Sequence, residues 1–340
     1  MTKIYLIRHA EAEGNVTRRV HGHYDSLVTP RGLAQIRELE GRLSALPIDA
    51  VYSSDLYRAR KTAQAAYRPH GLSLHTDERL REVNMGAWED LTFAEIARRE
   101  PEQWNYLDRD FFNWRVTGAE TPDDAAERFA DAMREIARIQ DGRTVAVFAH
   151  AFVIQLFLCR ILGVTDASAV TAAIHPENTA VAELTYSGGE FALEKLPDAP
   201  HLSPENSTAR RSREARLRLG GESPDLRYIQ RERYIWTAQA ANNLAGIITL
   251  DPETGADEGY GLITRYELSP EFRGKLLGIQ PLGTAISVYR ALGRDRLRIV
   301  LPDAAADAGG FFEHIGFAAL PDAPGTLEYN ISIAVANRDF

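Results

Sequence analysis

The sequence predicts two domains: an α/β domain on a parallel sheet with helices on its faces, then a second domain of different period and order. Three observations carry this. The chain has 340 residues, against about 100–200 per domain. Through about residue 185, short β-rich runs alternate with stretches of helical periodicity, as in a parallel sheet joined by crossover helices. Residues 186–208 then turn to Ser187-Gly188-Gly189 and the prolines Pro197, Pro200 and Pro204, with few large apolar side chains, which marks a linker.

In order along the chain, Ile4–Ile7 is the first strand. Thr29-Pro30-Arg31 opens a helix, with Thr29 as cap, Pro30 in the first turn and Leu33, Ile36, Leu39, Leu43 and Leu46 on one face. Ala50–Tyr52 is the second strand, and a helix follows from Tyr57. An irregular stretch from His75 to Thr121 holds three of the four tryptophans. Asp123–Gln140 is an amphipathic helix, Thr144–Phe148 an apolar strand, and Ala151–Leu162 a helix stopped by Gly163. Beyond the linker, a helix runs from Ser203 to Leu219 and Gly220, and its Arg210, Arg211, Arg213, Arg216 and Arg218 read as a solvated face. Leu244–Leu250 and Gly259–Leu268 read as antiparallel strands, Leu277–Leu292 as a helix, Leu297–Leu301 as a strand and Phe311–His314 as a short helix.

Composition excludes several classes. With 44% hydrophobic and 26% charged residues, the chain is an ordinary globular one rather than disordered or collagenous. Net charge is −9. Residues 1–200 carry 23 basic and 30 acidic side chains, a net of −7, and residues 201–340 carry 16 and 18, a net of −2. Neither half has the basic excess of a nucleic-acid binder. The 35 Arg to 4 Lys reads as genomic base composition. The lone Cys159, in an apolar run, reads as an inert buried thiol and fits a reducing cytoplasm. The apolar run before Arg8 is too short for a signal peptide, and no stretch approaches a membrane span, so a cytoplasmic protein without a membrane partner is expected.

Arg8-His9 follows the first strand, at the carboxyl end where open α/β sheets build their sites. Downstream stand Glu11 and Asn15, then Ser54-Asp55-Leu56-Tyr57-Arg58-Ala59-Arg60-Lys61-Thr62-Ala63, then Leu80-Arg81-Glu82-Val83-Asn84-Met85-Gly86-Ala87-Trp88-Glu89, then Val145-Ala146-Val147-Phe148-Ala149-His150. Together these segments resemble the histidine phosphatase (phosphoglycerate mutase-like) superfamily over roughly residues 1–190. The resemblance implies a phosphoglycerate mutase-like parallel-sheet sandwich with helices on both faces, and His9 as the nucleophile. Arg8, Arg58 and His150 then complete the phosphate pocket, and Asn15 donates a further hydrogen bond.

The chemistry accounts for these residue types. A neutral imidazole nitrogen attacks phosphorus, and negative charge spreads over the equatorial oxygens in the transition state, so cations must surround it. The leaving alkoxide needs a proton, which a carboxyl can hold beside a bound phosphate dianion. Glu82 matches the family's position for that acid, which then serves as base on the hydrolytic water. Glu11 and Glu89 are less favoured, and Glu89 also reads as a loop-fixing residue. His21-Gly22-His23 lacks a well-spaced third metal ligand. This segment aligns with one near the site mouth, where the family usually has Gln at the position of His21, so His21 is a substrate-binding candidate. No metal and no phosphatase cofactor are expected.

Ala10 and Ala151-Phe152 stand where the family commonly has Gly and Gly-Gly. Ala is strained there only where φ is positive, and Phe152 narrows the space beside His150. Between hydrolase and mutase, the stretch Pro101–Ala119 favours the hydrolase. Its Trp104, Tyr106, Phe111, Phe112 and Trp114 read as an aromatic lid suited to an apolar leaving group, while Arg99, Arg109 and Arg115 do not reproduce the mutase pattern. A phosphoglycerate mutase-type isomerase is the alternative to a phosphomonoester hydrolase.

In the second half, Leu268-Ser269-Pro270-Glu271-Phe272-Arg273-Gly274-Lys275-Leu276-Leu277-Gly278-Ile279-Gln280-Pro281-Leu282-Gly283 joins a strand to a helix through a basic turn, a setting that can cradle a pyrophosphate. With Phe311–Phe317 it resembles the GNAT acetyltransferase superfamily over about residues 205–340. The resemblance implies an α+β, acyl-CoA-binding fold, acetyl-CoA as cofactor, an amine acceptor as partner, and Arg273, Gly274, Lys275 and Gly278 as binding residues. Leu276, Ala305 and Phe312 replace the family's usual Gly, Asn and proton-donating Tyr, and Pro281 removes one N–H of the helix's first turn. Glu313 and His314 read as solvated helix residues. An active N-acetyltransferase, a CoA-binding module and a purely structural domain all stay open. The expected domains are residues 1–195 and 205–340.

Overall fold

The computed structural model describes residues 1–164, 174, 176–219, 225–240, 243–273, 275, 277–301 and 309–339. The first helices and strands are β1 (Thr2–Arg8), α1 (Glu13–Thr17), α2 (Pro30–Leu43), β2 (Ala50–Ser53), α3 (Tyr57–His70), β3 (Leu74–Thr76), α4 (Phe93–Arg99), α5 (Pro101–Arg109), α6 (Pro122–Ile139), β4 (Thr144–Ala149), α7 (Ala151–Leu162), β5 (Val181–Ser187) and β6 (Glu190–Asp198). There follow α8 (Thr208–Arg218), β7 (Arg227–Glu232), β8 (Ile235–Ala240), β9 (Asn243–Asp251), β10 (Tyr260–Leu268), α9 (Gln280–Ala291), β11 (Arg296–Val300), α10 (Gly309–His314), β12 (Ala318–Ala319), β13 (Thr326–Asn330) and α11 (Ile333–Ala336). Two compact units result: Met1–Ala12, Val20–Glu89 and Ile96–Arg211 form the first, and Glu13–Arg19, Asp90–Glu95 and Ser212–Phe340 the second.

The first unit holds a six-stranded sheet in the order β3-β2-β4-β1-β5-β6. The strands β3, β2, β4 and β1 run parallel, and β5 and β6 are added antiparallel at one side. The apolar strands β1 and β4 lie at the centre, as expected of strands covered on both faces. On one face Tyr5, Ile7, Val51, Ala146 and Phe148 pack with Ile36, Leu39 and Leu43 of α2 and Ala63 and Ala66 of α3. The alternate residues Ile4 and Leu6 are also buried, and α6 and α7 pack against β1 and each other. Pairing of Arg8 with Ala149 brings both chains out of the sheet at the same level, so His9 and His150 emerge together.

The capping chemistry holds in detail. Thr29 accepts from the Gly32 N–H, and Gly163 ends α7 in the left-handed region at φ 65°. Leu33, expected on the core face of α2, is 37% exposed, and Leu46 lies beyond the helix end. The stretch read as irregular contains α4 and α5. Within the stretch read as a linker, β6 occupies Glu190–Asp198, and α8 starts at Thr208 rather than Ser203.

The second unit has a seven-stranded sheet in the order β12-β13-β11-β10-β9-β8-β7, antiparallel except where β10 pairs with β11. Leu282, Ala285, Ile286 and Tyr289 of α9 join Ile248, Leu250, Ile263 and Leu297 of the sheet in one core. Helix α1 belongs here too: Arg290 donates to Glu13 Oε2 at 2.8 Å. A Cβ added at Gly283 would lie 2.6 Å from that of Thr17. The β7–β8 hairpin was not anticipated. No described helix is long and apolar enough to cross a membrane.

Candidate active site

The His9 ring is buried between strand ends and donates from Nδ1 to the Ala10 carbonyl at 2.7 Å. That bond fixes the tautomer and leaves the lone pair on Nε2. Burial, then the charges of Arg58 and Arg8, hold His9 well below the usual imidazole range, so the ring is neutral at physiological pH. The His150 ring centroid lies 5.2 Å away. His150 is fully buried, and neither of its ring nitrogens has a hydrogen-bond partner. An unpartnered buried imidazole is costly, and both nitrogens of His150 remain open to a bound group. Burial and the neighbouring Arg58 charge depress His150 as well.

Two guanidinium groups supply positive charge. Arg8 donates to the Pro176 carbonyl at 2.7 Å, and its buried Nε has no partner. Burial draws Arg8 down to about 10, still a cation at neutral pH. Arg58, on the first turn of α3, donates to the carbonyls of Tyr24, His21 and Gly22, and its Nε is likewise buried without a partner. It therefore both places positive charge beside His9 and His150 and holds the 21–24 loop. His21 lies in that loop, its ring 4.9 Å from that of Tyr24. Asn15 lies on α1, in a segment that packs with the second unit.

The carboxylates separate into distinct roles. Glu82 takes N–H donations from Val83 and Val153 on Oε1 and from Phe152 on Oε2, which anchors it at the start of α7, one residue past His150. Glu11 is committed elsewhere: it accepts from Thr29 Oγ1 at 2.7 Å and Arg31 at 3.0 Å. Glu89 takes the N–H groups of Gly22, His23, Tyr24 and Met85, the loop-fixing role. Gly22 is required by close approach, since a Cβ there would meet the Val83 carbonyl at 2.3 Å. His23 donates to the Glu82 carbonyl at 3.0 Å.

Ala10 and Ala151 both have negative φ, so neither replacement strains the backbone. Phe152 packs edge-on to Phe111 and Trp114. Phe111 and Trp114 are buried, so part of the expected aromatic lid is core, continuous with Trp88 at 5.6 Å from Trp114.

Several supporting residues escaped sequence reasoning. Thr62 accepts the Ala10 N–H and donates to the Arg58 carbonyl, tying the chain that follows His9 to the first turn of α3. Arg128 donates to the carbonyls of Arg79, Arg81 and Glu82 while pairing with Glu120. Asn178 donates to the His9 carbonyl. Thr62 lay inside a matched segment; the other two act on main chain far away in sequence and leave no local signal.

In the second unit, Arg273 is exposed and donates from Nε to the Leu268 carbonyl, and Lys275 lies over the Phe272 ring. The Gly278 carbonyl accepts from Tyr266 at 2.5 Å. The N–H groups of Arg273 and Lys275 are donated to Pro270 and Phe272, so these two residues offer cationic side chains rather than backbone donors. Gly274, Leu276 and Ala305 lie outside the described residues. Phe312 is buried against Tyr266 and Phe317, and Glu313 and His314 are exposed.

The model of the histidine phosphatase superfamily (branch 1) matches residues 4–199. The chain belongs to this family. A model of the acetyltransferase (GNAT) family matches residues 201–317 of the same chain. The "Probable phosphoglycerate mutase GpmB" of Serratia proteamaculans is 31% identical over 164 residues, 48% of this chain and 76% of that protein. Among solved structures, Bacillus stearothermophilus YhfR is 28% identical with a TM-score of 0.57, covering 60% of this chain and all of that one. A mycobacterial glucosyl-3-phosphoglycerate phosphatase shares the fold at 24% identity and a TM-score of 0.52, covering 58% of this chain and 99% of its own.

The depressed histidines of this histidine phosphatase domain set a pH dependence. A neutral imidazole is the form that can attack phosphorus, and at His9 it persists below the ordinary imidazole value of 6.5. The acid limb of kcat/KM, corrected for ionisation of the substrate phosphate, is therefore expected below pH 6.5. Stability has the same sign: His9 and His150 resist protonation only when folded, so the unfolded chain binds more protons as pH falls below 6.5 and stability declines there. Rate profiles and thermal melts between pH 5 and 8 check both.

Proposed function

We propose that the first domain hydrolyses small-molecule phosphomonoesters through a phosphohistidine on His9. The observation that carries this reading is His150, fully buried with both ring nitrogens unpartnered beside the neutral His9 ring. Nε2 of His9 forms the bond to phosphorus as the ester P–O bond breaks, and protonated Glu82 gives its proton to the leaving oxygen. Water then attacks phosphorus, Glu82 takes its proton, and phosphate leaves as the P–N bond breaks. Arg8, Arg58 and His150 stabilise the equatorial oxygens in both steps. Asn15 and His21 are assigned to substrate contact.

The names of the relatives point both ways, to phosphatases and to phosphoglycerate mutases. Phe152, next to His150 and held by the buried rings of Phe111 and Trp114, supports an apolar wall beside the leaving group and hence the hydrolase. Phosphate release from a panel of monoesters is the expected result, with 3-phosphoglycerate isomerisation run beside it; isomerisation without release overturns the reading.

For the second domain we assign acetyl-CoA binding, with Arg273 and Lys275 holding the pyrophosphate and with Gly274 and Gly278 kept as the further binding residues that the resemblance implies. Bound there, acetyl-CoA would supply an activated acyl group for an amine acceptor. Buried Phe312 supplies no proton to a leaving thiolate, so binding is expected to exceed transfer. Calorimetric titration with acetyl-CoA, paired with thiol release over a set of amines, tests both; no saturable binding leaves a structural domain. The boundary belongs near residue 200, between 1–195 and 205–340. A cytoplasmic location fits the lone Cys159, whose thiol burial pushes up to about 11.

A further inference from the structure

Thr179 is a fully buried, β-branched residue with φ at 62°, a left-handed conformation that such residues rarely hold and that the surroundings must enforce. Its N–H is shared between the carbonyls of Arg8 at 3.2 Å and His9 at 3.4 Å. Asn178 adds a donation from Nδ2 to the His9 carbonyl at 3.0 Å. The turn thus seats the main chain of the nucleophile and of its neighbouring cation.

What braces the turn comes from further along the chain. Thr179 Oγ1 donates to the Asn178 carbonyl at 2.7 Å, so the same oxygen accepts from Nε2 of His201 at 3.0 Å. Nδ1 of His201 faces Arg42 at 3.4 Å, which keeps the proton on Nε2. Arg42 also pairs with Asp198 at 2.9 Å. Burial, then the Arg42 charge, draws His201 down to about 4, so a single N–H persists at neutral pH. On the other side of the turn, Glu177 accepts from Ser207 Oγ and the Ala209 N–H. The stretch between β6 and α8 is therefore bonded to residues on both sides of Asn178.

We propose that His201 is a positioning residue for phosphoryl transfer: through Thr179 it holds the turn that seats Arg8 and His9, so the stretch leading out of the phosphatase sheet sets the rate of phosphohistidine formation. This rests on His9 being the nucleophile.

The test uses the full chain and single-turnover formation of phosphohistidine from p-nitrophenyl phosphate. His201→Phe, which keeps a ring and loses the donor, is expected to form phosphohistidine about 10-fold more slowly with KM within about 2-fold of the native value, as for a reacting group displaced rather than removed. His201→Gln, which retains an N–H near the Nε2 position, restores the rate. Thr179→Val, which lacks the hydroxyl, loses about as much as His201→Phe, and the double variant loses no more than either, since both cut one connection. If His201→Phe fails to fold, Thr179→Val against Thr179→Ser carries the same comparison. Native rates in His201→Phe, or fully additive losses, overturn the proposal. His9→Ala separates the two readings: turnover in that variant removes the nucleophile assignment, whereas an inactive His9→Ala beside a fully active His201→Phe removes this inference alone.

Discussion

His9→Ala is expected to lose kcat by about 10⁴-fold or more, since the nucleophile is removed while the surrounding charges remain. The loss should be catalytic rather than structural. His9 is held to its surroundings by one ring hydrogen bond, to Ala10, while its main chain stays bonded to Ala149 and Asn178. Inorganic phosphate should still bind through Arg8, Arg58 and His150, and the acetyl-CoA titration of the second domain should be unchanged. Kinetics, a melt, phosphate binding and an acetyl-CoA titration on one preparation check these four; full turnover overturns the mechanism.

The second large effect is Glu82→Gln, with a fall in kcat of about 10²- to 10⁴-fold on alkyl phosphates, the usual worth of a positioned acid and base. On p-nitrophenyl phosphate the first step should suffer far less, because that leaving group departs without a proton. Hydrolysis of the intermediate still needs the base. Phosphohistidine should therefore accumulate in this variant with the activated ester and not with the alkyl one. The amide oxygen of Gln can replace Oε1 for Val83 and Val153, but its NH₂ then faces the Phe152 N–H. That mismatch is expected to lower stability by about 1–3 kcal/mol, which a denaturant titration measures. Equal losses on both esters would remove Glu82 from the acid role.

Much of this was legible in the residues themselves. β1 and β4 are apolar because both faces are covered, so their runs stand out, and the caps of α2 and α7 follow from Thr29 and Gly163. His9, Arg58, Glu82 and His150 are brought into one unit from segments that match one family. The weaker readings share physical causes. α5 mixes Trp104 and Tyr106 with charged neighbours and shows no clean stripe, and β7 carries three charged side chains in six residues. Asn15 stands near His9 in sequence, yet its helix belongs to the second unit. Thr179, His201 and Arg128 act through main-chain carbonyls, for which any donor of the right reach suffices, so residue type alone does not single them out. Glu11 and Glu89 were separated from Glu82 only by what their oxygens accept.

The bond from His9 Nδ1 to the Ala10 carbonyl reaches as far as the stereochemistry at phosphorus. With Nδ1 occupied by a proton held on the backbone, both half-reactions of the proposed mechanism pass through Nε2. Each is an in-line displacement that inverts the phosphoryl group. Two inversions at one nitrogen restore the original hand, so a thiophosphate ester chiral through its oxygen isotopes, hydrolysed in water of the third isotope, would release thiophosphate with configuration retained, whereas direct attack by water would invert it.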